Sequence, residues 1–201
     1  MGQPRKGNVL NIPTKGVMEV TPSVENILFF YDQATVSELD EGLSWYSDAW
    51  ALASALDPVN PRQAAGVIAA LSPITPWDRN QALAARAYAD GYASGTLGNS
   101  CRNADKILSG VDPLDVLKSD KVRNFFLCIA GDQHAVCIDR HAFDVAVGMT
   151  TNNETRAAGL RRKGDYERFA ALYREAAALR DTVPAKVQAV TWTVFRRLKG
   201  L

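Results

Sequence analysis

Apolar side chains return every three or four positions through most of the chain, the period of one face of an α-helix. Leu39, Leu43, Tyr46 and Trp50 form one such stripe, and Thr35 and Glu38 stand ahead of it at the spacing of a capping box. The pattern predicts a long amphipathic helix. Asn60-Pro61 and Thr75-Pro76 each read as an N-cap followed by a first helical residue, the second pair opening a helix over 77–89. Ala64 to Leu71 is apolar nearly all round, as a central buried helix requires. Further helices are expected over 102–108, closed by Ser109 and Gly110, and over 121–130, 139–147, 165–179 and 184–198.

Between two of these, Gly131-Asp132-Gln133 reads as a turn and 135–138 as a short extended link. Val136, Cys137 and Ile138 have the look of a buried strand, but no second run offers a partner, so the expected fold is all-α. Regular structure is expected to begin near Ser23. The first twenty residues, rich in Gly, Pro, Asn and Lys, are read as an N-terminal arm, and 21–201 as a single compact helical domain. There is no internal repeat or low-complexity tract.

A chain of 201 residues with 47% hydrophobic side chains can bury one substantial core. No apolar stretch reaches the roughly 18 residues of a membrane span, and Met1 to Lys15 carries charges and prolines where a signal peptide needs an apolar centre. A soluble protein of the cytoplasm, or of a host cytoplasm if phage-encoded, is therefore expected. Cys101, Cys128 and Cys137 lack the spacing of a zinc or iron-sulfur site, so no metal or other cofactor is expected and the thiols are read as small apolar groups. The net charge of +1 conceals a segregation. Residues 31–60 hold six carboxylates and no Lys or Arg, whereas 154–201 hold eleven basic residues against five acidic ones. A basic C-terminal third suits a polyanion such as DNA and equally suits a solvated helix face.

The informative segment runs from Lys121 through Val-Arg-Asn-Phe-Phe-Leu-Cys-Ile-Ala-Gly-Asp-Gln-His-Ala-Val-Cys-Ile to Asp139, Arg140 and His141. It resembles the core of the helix-hairpin-helix DNA glycosylases, the superfamily of endonuclease III and 8-oxoguanine DNA glycosylase, as a small phage-type member. In that superfamily a lysine opens the second helix of the hairpin, and a carboxylate follows in a Val-Asp-Thr-His motif. Here Ile138-Asp139-Arg140-His141 stands for the motif, and Lys121 precedes Asp139 by eighteen residues, as in endonuclease III. Upstream, Leu71-Ser72-Pro73-Ile74-Thr75 is similar to the family's Leu-Ser-Ala-Gln-Thr. Asn80 and Ala84 match its next helix, and Asn103-Ala104-Asp105-Lys106-Ile107 matches its Lys-Ala-Glu-Asn-Ile. The likeness extends from about residue 64 to residue 147.

The resemblance implies base excision from duplex DNA carrying an unusual base, with no protein partner evident. Cleaving a glycosidic bond builds positive charge on the sugar, which a carboxylate at Asp139 would stabilise. A lysine amine at Lys121 would attack C1′ and form a Schiff base that permits β-elimination. Turning the nucleotide out of the stack is part of such chemistry. Ile74, Trp77, Asn80, Lys118, Arg123, Arg140 and His141 are the expected DNA or substrate contacts. Ile74 replaces a family glutamine, and the hairpin is glycine-poor: Asp115-Val-Leu-Lys-Ser-Asp120 stands where the family has Leu-Pro-Gly-Val-Gly-x.

Each of these residues also has a structural role open to it. Asp139 sits where any helix favours an N-cap, Lys121 can be one more solvated lysine, and His141 a packed histidine near Asp144. Trp45, Trp50, Trp77 and Trp192 fall at core spacings. Two further functions stay open on the same residues: base hypermodification on the same fold, and a non-enzymatic helical DNA-binding module.

Overall fold

The computed structural model describes residues 16–200, and every regular element among them is helical, so the fold is all-α. In chain order the helices are α1 (Val24–Tyr31), α2 (Val36–Leu56), α3 (Pro61–Leu71), α4 (Trp77–Asp90), α5 (Gly98–Leu108) and α6 (Pro113–Val116). They continue with α7 (Asp120–Ile129), α8 (Arg140–Val147), α9 (Asn153–Gly159), α10 (Asp165–Ala178) and α11 (Pro184–Lys199). Residues 1–15 of the expected arm lie outside the described residues. Its remainder is tethered: the Gly16 amide donates to Glu154 at 2.6 Å and the Met18 amide to Thr155 Oγ1 at 2.9 Å, against α9.

The capping box of α2 forms in both directions, Glu38 N–H to Thr35 Oγ1 at 3.3 Å and Thr35 N–H to Glu38 Oε2 at 2.8 Å. Asn60 precedes Pro61 at the start of α3 as expected, though its side chain makes no capping bond. At α4 the expectation is one residue early. Pro76 itself is the N-cap and Trp77 the first helical residue, while the Thr75 hydroxyl turns back to Pro73 O at 3.1 Å. Helix α5 begins four residues before the predicted Arg102, at Gly98, and α6 and α9 fall in segments read as connections.

The face that α2 buries is not the large apolar stripe. Leu39, Leu43, Tyr46 and Trp50 are half-buried, and Gly42, Ala49 and Ala53 are the residues sealed inside. The reason is close approach to α11. A Cβ added at Gly42 would lie 2.5 Å from Val190 Cγ2 and 2.6 Å from its Cα, so the backbones touch there. Gly42→Ala is accordingly expected to destabilise the protein by about 1–3 kcal/mol, because α11 has to move rather than a side chain rotate. Urea unfolding checks this, and a variant as stable as the parent would show that the contact yields.

Two apolar clusters meet at that α2–α11 seam. One gathers Ile27 and Phe30 of α1, Phe143 and Val145 of α8, Phe169 and Tyr173 of α10, and Val194 and Phe195 of α11. The Phe143 and Phe169 rings stack with centroids 4.7 Å apart. The other gathers α3, apolar nearly all round, with Ala49 and Ala53 of α2, Leu83 of α4, Ile107 of α5 and Phe126 and Ile129 of α7. A link over 130–139, a turn at Ala130-Gly131 followed by a stretch without regular structure, carries the chain from the second cluster to the first. The strand-like Val136-Cys137-Ile138 pairs with no strand: the Tyr166 hydroxyl donates to Val136 O and accepts from Ile138 N–H, both at 2.9 Å.

The charge segregation resolves partly into ion pairs. Asp32, after α1, meets Arg180, after α10, at 2.6 Å, and Glu38 meets Arg197 of α11 at 2.6 Å. The Arg197 guanidinium holds the Glu38 carboxyl below its ordinary range. Among the described residues no helix is long and apolar enough to cross a membrane.

Candidate functional site

Asp139 ends the link and caps α8, its Oδ1 accepting the amides of His141 at 2.9 Å and Ala142 at 2.8 Å. Capping occupies one carboxylate oxygen; no hydrogen bond among the described residues reaches Oδ2. The link is fixed to the start of α7 by the Cys137 thiol, which donates to the Lys121 carbonyl at 3.8 Å. Burial pushes the Cys137 thiol well above its ordinary range, so it keeps the proton that bond needs. Lys121 and Asp139 both line one cleft of about 390 Å³, whose apolar lining includes Ile138, Phe143, Leu160 and Tyr166 of the first core cluster. Arg140, Arg156 and Tyr166 complete the rim, and the exposed Asp120 is the one other acid in the lining.

Arg156 is held there by a buried fork. Its Nη2 and Nε reach Asp144 Oδ2 and Oδ1 at 2.6 and 3.0 Å, and Asp144 also accepts from Thr151 N–H at 3.1 Å and Thr151 O–H at 2.6 Å. The side chains are 17% and 2% exposed, so this pair is largely removed from water. The expected neighbour of Asp144, His141, instead accepts from Arg140 Nε at 3.1 Å through Nε2. That leaves the proton on Nδ1, which is buried and has no partner.

Burial, opposed by Asp139 and Asp144 and reinforced by Arg140 and Arg156, lowers the His141 pKa below its ordinary 6.5. The unfolded chain takes up this proton near pH 6.5, and the folded chain only at lower pH. Between the two values the unfolded state holds more protons, so stability rises with pH and acidification weakens the fold. The slope from this group is limited to about 1.4 kcal/mol per pH unit. Denaturation measured between pH 7.5 and 5 is expected to show that loss in the parent and a flatter profile in His141→Phe; equal slopes would assign it to other groups.

With that geometry in view, the model of a family of unknown function, DUF7178, matches residues 11–199. The chain belongs to that family. No curated protein and no solved structure matches it.

The remaining expected contacts of this DUF7178 chain divide by position. Ile74 is 85% exposed on the loop between α3 and α4, with φ +52°, a left-handed conformation that a β-branched residue adopts only under strain. Lys118 is exposed and, with Lys121, lines a second pocket beside the start of α7. Arg123 turns away from the cleft and donates to Leu114 O at 3.1 Å. Trp77 is half-buried against Trp45, ring centroids 4.9 Å apart, and belongs to the edge of the core.

Asn80 does not reach the surface: it is 1% exposed and donates to Ile68 O at 3.0 Å. That carbonyl is open because Ser72 N–H tightens onto Ala69 at the end of α3, and Asn80 fills the vacancy, which removes it from base recognition. Sequence reasoning missed Arg156 and Tyr166 as cleft residues. The usable signal was Asp144 itself, a charge inside an otherwise apolar helix, which had to have a buried partner.

Proposed function

We propose that this protein is a DNA glycosylase that removes an unusual base from duplex DNA through the cleft between Lys121 and Asp139. The reading is carried by one observation: the two residues that match the superfamily's catalytic pair line the same cleft, under two arginines. A volume of about 390 Å³ suits a turned-out nucleoside, being within the roughly 300–1,000 Å³ typical of small-molecule sites. Arg140 and Arg156 offer charge for the phosphates flanking that nucleotide.

Asp139 would act through Oδ2, set beside the sugar as positive charge develops at C1′. Its other oxygen, held by two α8 amides, fixes the carboxylate without consuming it. Lys121 would supply the amine that attacks C1′, releasing the base and leaving a Schiff base on the opened sugar. Ile74 would enter the vacated stack, its exposure and strained backbone supporting a role outside the core. A protein acting in this way works in the cytoplasm, or in that of a host.

The test uses duplexes carrying candidate damaged or modified bases, with mass spectrometry for released base and borohydride to trap the covalent intermediate. Free base and a trapped adduct are expected, the adduct absent in Lys121→Ala. Trapping that survives Lys121→Ala removes the Schiff-base step. A new nucleoside without free base would replace excision by base modification.

A further inference from the structure

We propose that His141 is a positioning residue, whose imidazole holds the Arg140 guanidinium at the Asp139 cleft and releases it in acid. Arg140 is exposed, and a long exposed side chain samples many rotamers, which weakens binding when it has to be ordered on a ligand. Here its Nε donates to His141 Nε2 at 3.1 Å, and no other hydrogen bond among the described residues reaches the guanidinium. Neighbouring positions on a helix do not ordinarily face one another, so this bond constrains the conformation of the arginine. Both terminal nitrogens stay free for an anion in the cleft that Arg140 lines.

The anchor is fixed where the anchored group is not. His141 is 8% exposed, with the Trp192 and Phe195 rings of α11 against it at centroid distances of 6.3 and 5.8 Å, and its backbone amide is taken by Asp139 Oδ1. With Nε2 accepting, the ring proton sits on Nδ1, which is buried and has no partner. That orphan N–H is the cost of presenting a lone pair to Arg140.

A second proton would turn Nε2 into a donor facing the N–H of a guanidinium, so the bond does not survive protonation. The surroundings resist that proton. Burial favours the neutral imidazole, Arg140 and Arg156 act in the same sense, and Asp139 and Asp144 oppose them. On α11 both rings packed against the imidazole carry a cation, Arg196 over Trp192 and Lys199 over Phe195. Helices α1 and α10 meet α8 through the uncharged Asn26 and Tyr173, bonded to Ala146 O and Ala142 O. Arg140 is therefore held at neutral pH and freed in acid, when the cleft loses one oriented cation. What Arg140 does there rests on the reading of the cleft as a DNA site, whereas the bond itself does not.

NMR of the arginine Nε–H groups in the full chain, from pH 8 to 5, tests the bond. The chain has two histidines, and the exposed His134 serves as the reference titration. At pH 8 the Arg140 Nε–H is expected to exchange about three- to tenfold more slowly than that of the exposed Arg161, the factor given by one hydrogen bond of ordinary net strength. This protection is expected to vanish as His141 titrates, to be absent throughout in His141→Phe, and to persist at every pH in His141→Gln, whose amide oxygen accepts without titrating. Protection absent at pH 8, retained in His141→Phe, or still lost in acid in His141→Gln would overturn the proposal. The Gln variant keeps the test decisive if His141→Phe does not fold.

Binding to a duplex with a tetrahydrofuran abasic site tests the use of that bond. His141→Phe is expected to lower the slope of log affinity against log salt by about one, as loss of one phosphate contact does, and to change nothing further in an Arg140→Ala background. An equal drop in that background would show that His141 does not act through Arg140. A parent that binds no duplex would overturn the DNA reading alone, since the NMR result decides the positioning role by itself.

Discussion

Asp144→Ala is expected to lower the stability of the protein by about 3–5 kcal/mol, the cost of leaving one member of a buried pair uncompensated. Asp144 is 2% exposed in its side chain and accepts four hydrogen bonds, two from Arg156 and two from Thr151. Alanine abandons all four and leaves the Arg156 guanidinium, 17% exposed, facing an apolar helix. For a domain whose whole stability is about 5–15 kcal/mol, that loss is large, and at this chain length it corresponds to roughly 6–20 °C in Tm. Urea denaturation gives the first figure and a thermal scan the second.

The companion experiment replaces both partners, Asp144→Leu with Arg156→Met. It is expected to recover much of the loss, because the penalty arises from the orphaned charge more than from the missing attraction. A single variant within 1 kcal/mol of the parent would mean that water reaches the pair. The recovered double variant carries a second consequence, since it is folded but lacks the arginine that the cleft borrows from α9. Loss of DNA binding in it would separate the functional use of Arg156 from its structural use.

The same pair illustrates which parts of this molecule could be read from its residues. Where a local rule decides, the expectation is met: Thr35 and Glu38 close their capping box, Pro61 opens α3, and Asp139 caps α8 after the link. These depend on residues within three positions of one another. Helix α9 follows Thr150-Thr-Asn152, which reads as loop, and it packs Gly159 so tightly on Phe143 that a Cβ would lie 2.7 Å from the ring. Its place is decided by residues sixteen positions away.

Burial on α2 escaped for a related reason. Periodicity points to the large apolar stripe, but helices that touch along their backbones select small residues, and Gly42, Ala49 and Ala53 carry little hydropathy to announce them. Asn80 was drawn into the candidate site by its match to the family's next helix, whereas the carbonyl it satisfies is created by the tightened end of α3. Lys121 and Asp139 were found because residue type and spacing coincide, and their common cleft depends on the Cys137 thiol and Tyr166 hydroxyl pinning the link between them.

Asp139→Asn is expected to leave the fold nearly intact and to abolish base excision. Asn is as good an N-cap as Asp, and its side-chain oxygen can accept the same bonds from the His141 and Ala142 amides. Stability is therefore expected to change by less than about 1 kcal/mol, while Asp139→Ala, which loses the cap as well, costs about 1 kcal/mol. On the proposed mechanism the rate depends on what Asn does not keep, the formal negative charge of a carboxylate that lines the cleft. Removing a positioned group of this kind lowers the chemical step by about 10²–10⁴-fold, which single-turnover excision on a verified substrate measures directly. The contrast between the two variants is what gives the experiment its force. If Asp139 serves only α8, activity should follow stability, so that Asp139→Ala is the impaired protein and Asp139→Asn the healthy one. If the carboxylate works on the sugar, both are equally inactive although only one has lost its cap, and an unimpaired rate in Asp139→Asn would remove the residue from the mechanism.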